Sequence, residues 1–126
     1  MVPKNKFDTE AIEQLQRATD SEVLEHAEEL LDWLQDINWP IFEGVVGRLS
    51  SFGNELYESI VKILLSTDTI LKANIVGHLI PKFSLSAQKK YSQELRKLLI
   101  NPSNSDFEEG LIDFIEIQLS KNDKSI

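Results

Sequence analysis

The chain has no cysteine. Disulfides, thiolate metal sites and cysteine nucleophiles are therefore excluded. Five glycines and four prolines are too few for a loop-rich sandwich, a collagen-like repeat or a long linker. No apolar run approaches the length that a transmembrane helix needs. The first ten residues, MVPKNKFDTE, hold no apolar core of a secretory signal. A cytoplasmic protein without a membrane partner is the expectation. Positive charge is also scarce, with 13 Lys and Arg against 21 Asp and Glu, a formal net charge of −8. Binding to a phosphate backbone rests on Lys and Arg displacing counterions, so nucleic acid is not the expected ligand. No period-2 alternation marks a strand. There is no Walker A loop, no G-x-G-x-x-G after a strand, no EF-hand loop and no G-x-S-x-G turn.

What is present fits one domain spanning residues 1–126, long enough to bury a core without staples. Residues 1–7 and 121–126 read as frayed tails. Charge is uneven along the chain. Residues 1–63 hold 13 acids and 5 bases, while residues 64–126 hold 8 of each. Between Asp8 and Asp36 there are ten acids and one base, Arg17. Such a surface keeps a protein soluble, and it can also steer a basic partner.

The apolar spacing is helical almost throughout. A first helix is predicted from Asp8, its N-cap, to Ala18. A second runs from Ser21 to Gln35 with Leu24, Ala27, Leu31 and Leu34 on one stripe and Val23, His26, Leu30, Trp33 and Ile37 on another. Asn38-Trp39-Pro40 breaks the pattern, because proline disfavours the α conformation before it and suits a new first turn. A third helix follows from Pro40 to Ser50, carrying Gly44 and Gly47. Asn54 is expected to cap a fourth, with Leu56, Ile60, Val61, Leu64 and Leu65 inward. Thr67-Asp68 caps a fifth with Ile70, Leu71, Ile75, Val76, Leu79 and Ile80 inward, ended or kinked by Pro81. A sixth starts at Ser84 or Ser86. Residues 101–105 form a loop, and Ser105 caps a seventh helix with Phe107, Leu111, Phe114, Ile115 and Leu119 on its core face.

Asp36-Ile37-Asn38-Trp39 and Asp68-Thr69-Ile70-Leu71 each follow a leucine-rich helix and open a second one, 32 residues apart. Ser105-Asp106-Phe107 is a third such opening. Helical pairs recurring every 30–45 residues, roughly, mark an α-solenoid. The expected fold is all-α, with three hairpins and an N-terminal capping helix.

The block Leu30-Leu31-Asp32-Trp33-Leu34-Gln35-Asp36-Ile37-Asn38-Trp39-Pro40 resembles the signature of the domain-of-unknown-function family 5071. The resemblance continues through Phe52-Gly53-Asn54-Glu55-Leu56 and Leu98-Leu99-Ile100-Asn101-Pro102 and covers nearly the whole chain. It implies a small, bacterial, HEAT-like helical-repeat protein, and no reaction. Members often carry a tryptophan where this chain has Leu71, followed here by Lys72-Ala73-Asn74.

Chemistry-bearing residues are few. His26 shares a helix face with Glu22 and Glu29, yet the pattern is not HExxH. It reads as a half-buried structural histidine, and no metal or cofactor is expected. Lys89-Lys90-Tyr91 with Arg96-Lys97 is the one basic cluster. Trp33 and Trp39 read as core anchors, with Trp39 beside Pro40 the better candidate for a partly exposed binding residue. In hairpin stacks the second helices tend to line the concave face. That places Glu43, Arg48, Lys72, His78, Glu109, Asp113 and Glu116, together with Trp39, as partner-binding candidates. The expected function is a non-catalytic module that binds a protein, with a basic partner favoured by the charge. An immunity or antitoxin-like protein masking a basic toxin, and an enzyme with a site built across repeats, are the alternatives.

Overall fold

The computed structural model describes residues 1–124. Among the described residues there are ten α-helices and no strand. Asp8 caps α1 (Thr9–Arg17) by accepting from the Ala11 amide at 3.1 Å. The predicted second helix is present as α2 (Asp20–Glu25) and α3 (Ala27–Asp32), interrupted at His26. Its N-cap is Thr19, so the helix starts one residue before the predicted Ser21. Thr19 and Glu22 form a reciprocal capping box, which satisfies two orphan amides at once. After the turn at Trp39-Pro40 comes α4 (Phe42–Leu49). A Cβ on Gly44 would sit 2.5 Å from Ile12 Cγ2, so the missing side chain is what lets α4 approach α1.

The fourth helix, α5 (Tyr57–Leu64), starts after Leu56 and lacks the expected Asn54 cap. Asp68 caps α6 (Thr69–Asn74) through the Leu71 amide at 3.2 Å. The chain then widens into a π turn, Ile75–Leu79, and tightens into a 3-10 turn, Ile80–Lys82. Pro81 lies in that turn, where its missing N–H cannot continue an α ladder. Ser84 caps α7 (Leu85–Lys90), and α8 (Ser92–Leu98) follows after a break at Tyr91. The expected Ser105 cap is replaced by Ser103, which forms a capping box with Asp106 at the start of α9 (Asn104–Glu108). Gly110, at φ 79°, then turns the chain into α10 (Leu111–Lys124).

One continuous core runs between the helices, with Leu30, Leu49, Ile60, Leu79, Tyr91 and Ile115 all fully enclosed. The helix α4 packs on α1 and on the π turn. The π turn and α6 pack in turn on α10, and α5 packs on α6 and α8. Three side chains on α4, α6 and α10 also donate to carbonyls near the ends of earlier helices, whose last C=O groups lack a full set of intrahelical partners. Arg48 donates to Leu15 O at 3.1 Å and to Ala18 O at 3.0 Å. Asn74 donates to Leu34 O at 2.8 Å and Gln35 O at 3.0 Å. Asn122 donates to Gln88 O at 3.2 Å.

Several expectations are corrected. Residues 121–124 continue α10, and Asn122 is buried, bonded to Gln88, Ser92 and Gln118. Residues 125–126 lie outside the described residues. At the other end Met1 and Val2 pack on the core, Pro3 is buried, and the terminal ammonium donates to Gln14 at 2.6 Å. Ile37, Leu65, Ile70 and Phe107, expected inward, are exposed. Each lies on or beside a turn, where the chain leaves the helix that carried the stripe. Phe107 sits on the short α9, which Glu109 and Gly110 separate from α10.

Candidate functional site

The helices α4, α6 with its π turn, and α10 lie side by side. Between the first two is a pocket of about 280 Å³ lined by Phe42, Glu43, Val46, Gly77, His78, Pro81 and Lys82. His78 stands edge-on between two phenyl rings, with centroids 5.8 Å from Phe42 and 5.6 Å from Phe114. The π turn sets this geometry, since one extra residue in the turn changes which side chains face α4 and α10. Gly77 completes it. A Cβ there would meet the Phe114 ring at 2.7 Å. Exposed Glu43 and Lys82 place opposite charges at the rim. Aromatic walls with a charged rim suit one side chain of a protein ligand.

A second cleft, of about 490 Å³, lies between Val2, Pro3, Glu29, Asp32, Trp33 and Trp39. The two indoles meet edge to face at 5.6 Å, and both are half-buried against the core. A third, of about 350 Å³, is lined by Glu28, Asp32, Ser59, Lys62, Asp68 and Leu71, among others. Leu71, at the position where the family resemblance departs from tryptophan, is almost wholly buried there.

Burial first, then the nearby charges of Asp68 and Glu28, raise the Asp32 carboxyl above its usual range. A raised carboxyl favours the protonated form in the fold. Its contribution is complete below the ordinary value of 3.8 and is lost as the pH rises through the raised value. At pH 7 the charged group therefore works against the fold. Asp32→Asn is expected to raise the melting temperature at pH 7 by up to about 2 °C, since most of the side chain is in water. Thermal denaturation at pH 7 and pH 3 checks this, and the gain should vanish at the lower pH.

The predicted site residues divide into four groups. Glu43 and His78 share the pocket between α4 and the π turn. Trp39 lies in the tryptophan cleft. Arg48 and Lys72 are not displayed outward as expected. The Arg48 guanidinium is committed to the end of α1 and lies over the Phe52 ring at 5.1 Å. The Lys72 stem is buried on α6, because a long aliphatic chain can cover apolar surface while its charge reaches water. Asp113 and Glu116 are exposed on α10, and Glu109 is exposed at the end of α9 rather than on the same helix. Phe42, Val46, Gly77, Pro81 and Lys82 complete the pocket and are not among the site residues singled out from the sequence. The Phe42–Val46 spacing of one helical turn was a readable signal, whereas the side on which Gly77 and Lys82 fall depends on the π turn. His26 is half-buried with Nδ1 3.5 Å from Glu29. Among the described residues no group of three or more His, Asp or Glu side chains could hold a metal ion. Among them, too, no helix is long and apolar enough to cross a membrane.

A family profile described as "Domain of unknown function (DUF5071)" matches residues 1–117. No curated protein sequence matches the chain. A match over that much of a 126-residue chain means that the protein belongs to the DUF5071 family of domains of unknown function.

Proposed function

We propose that this chain is a non-catalytic protein-binding module of HEAT-like helical-repeat type. In this reading α2–α3 with α4, α5 with α6, and α7–α8 with α9–α10 are the hairpins of a short α-solenoid, and α1 caps one end. The observation that carries the reading is the row of second helices, α4 beside the π turn and the π turn beside α10, with an open aromatic pocket between two of them. Adjacent hairpins stacked this way present an extended surface suited to a protein rather than a small molecule.

The test starts from affinity capture in the native cell and identification of the partner by mass spectrometry. The purified partner is then titrated calorimetrically against the chain. Reversing both rim charges, Glu43→Lys with Lys82→Glu, is expected to weaken binding by about tenfold, or 1.4 kcal/mol. Both side chains are exposed, so the fold should survive. Failure to capture a partner that binds the purified chain would sink the reading.

A second reading, an immunity or antitoxin-like protein masking a basic toxin, is favoured by the acids of α1–α3. Glu10, Glu13, Glu25 and Glu29 are all exposed. In that case the partner is basic, is released at high salt, and is not retained when these four residues are changed to glutamine.

A further inference from the structure

The three turns that join first to second helices form one edge of the molecule. With the first residues of α6 and the short α9, they span residues 33–41, 65–71 and 99–110. Gln35 Nε2 on the first turn donates to Asp68 Oδ2 on the second at 2.7 Å. Thr69 Oγ1 donates to Asp106 Oδ1 on the third at 3.4 Å. The turns are thus tied in a row.

Eight large apolar side chains are exposed among the described residues, and five of them sit on this edge. They are Ile37 (47% exposed), Leu65 (71%), Ile70 (47%), Ile100 (82%) and Phe107 (58%). Scattered single apolar residues need no explanation, but a row of them on adjoining turns marks an interaction surface. The charge beside them is of one sign. Asp36, Asp68, Asp106, Glu108 and Glu109 lie on these turns, and no Lys or Arg occurs in 33–41, 65–71 or 99–110. The nearest bases along the chain do not offset this. Lys62 pairs with Glu28 at 3.4 Å, Lys72 is buried, Arg96 pairs with Asp123 at 3.0 Å, and Lys97 pairs with Glu94 at 3.3 Å.

We propose that this edge is a second docking surface of the module, apart from the pocket between α4 and the π turn, and that its occupant is a basic amphipathic helix of a partner protein. The proposal rests on the binding-module reading above and adds to it a further surface and the ligand that surface takes. Packed helices lie about 8–10 Å apart, so three adjacent turns span roughly 20 Å. A helix of about 14 residues, at 1.5 Å per residue, has that length. Its apolar stripe would cover the five exposed side chains, and Lys or Arg on its flanks would meet the carboxylates. A second copy of this acidic chain would bring like charges together on such an edge, and an anionic membrane would be repelled by it.

The probe is a fluorescein-labelled peptide of about 18 residues built from leucine and lysine, with all leucines on one helical face. A peptide of the same composition in scrambled order is the control. Binding is followed by anisotropy, and its location by backbone amide chemical shifts of the full chain. The expected result is saturable binding of the amphipathic peptide, with shifts confined to the three turns. Glu108→Lys with Glu109→Lys, and separately Leu65→Ser with Ile100→Ser, should each raise the Kd by about tenfold. Should either variant unfold, the shift map of the unaltered chain decides alone. Shifts at Glu43 and His78, or on α1–α3, would overturn the edge while leaving the module reading intact. Equal binding of the scrambled peptide, or no binding, would also overturn the edge, and partner capture then decides the module reading separately.

Discussion

Replacing Tyr91 by alanine is expected to cost the fold about 4 kcal/mol, within the roughly 3–5 kcal/mol range for emptying a buried aromatic site. Tyr91 is fully enclosed between α7 and α8. Its ring stacks on Phe83 at 5.9 Å and leans on Tyr57 at 5.0 Å. Its hydroxyl donates to Gly53 O at 2.8 Å, tying this hairpin to the turn before α5. Alanine would leave a cavity and strip that carbonyl of its donor. Tyr91→Phe keeps the ring and should cost only about 1–1.5 kcal/mol, the worth of one hydrogen bond. Urea unfolding of both variants separates the two contributions. A Tyr91→Ala loss below about 1.5 kcal/mol would mean that the site collapses around the vacancy. The phenol also carries a pH signature. Burial, then the nearby Tyr57 and Glu55, raise it above its ordinary value of 10.0. Its contribution is therefore intact below pH 10 and is lost as the pH climbs towards the raised value. Alkaline unfolding should be steeper for the unaltered chain than for Tyr91→Phe.

This residue also marks the limit of what the sequence discloses. Asp8, Asp68 and Ser84 were legible as caps because capping depends on a side chain and amides two or three residues away. The break at Trp39-Pro40 was legible for the same reason. The interruption at Tyr91 has no proline or glycine to announce it, and Tyr91 is bonded to Gly53, 38 residues back. Ser103 and Ser105 both precede an acid by three residues, so local chemistry allows either to cap. Asp106, the partner of Ser103, is also bound by Thr69 from the neighbouring hairpin, a tertiary contact that favours the earlier start. Glu43 and His78, which line one pocket, were legible as polar residues off the apolar stripe because helical periodicity is a local signal. Arg48 and Lys72 were misplaced by that logic, which assigns charge to water and ignores where a long stem lies.

Arg48→Ala is accordingly expected to destabilise the chain by about 2–3 kcal/mol, more than a surface arginine would. The side chain is only 16% exposed. It donates to two carbonyls at the end of α1, and in the variant Ala18 O loses this donor while Leu15 O keeps only the long Ala18 amide bond at 3.4 Å. Its ion pair with Asp20, 3.0 Å long, is a lesser contributor because Asp20 is 76% exposed. Asp20→Asn should therefore cost less than about 0.5 kcal/mol. Arg48→Lys should recover about half of the loss, since a single ammonium cannot span both carbonyls as the planar fork does. Thermal denaturation ranks the variants, and hydrogen exchange locates the damage. Protection in α1 should fall in Arg48→Ala while that in α10, which is not among the partners of Arg48, keeps pace with global stability. If Asp20→Asn proved as damaging as Arg48→Ala, the surface ion pair would be what holds α1. The parallel role assigned to Asn74 and Asn122, which close carbonyls with no charge at all, would then have to be judged on its own.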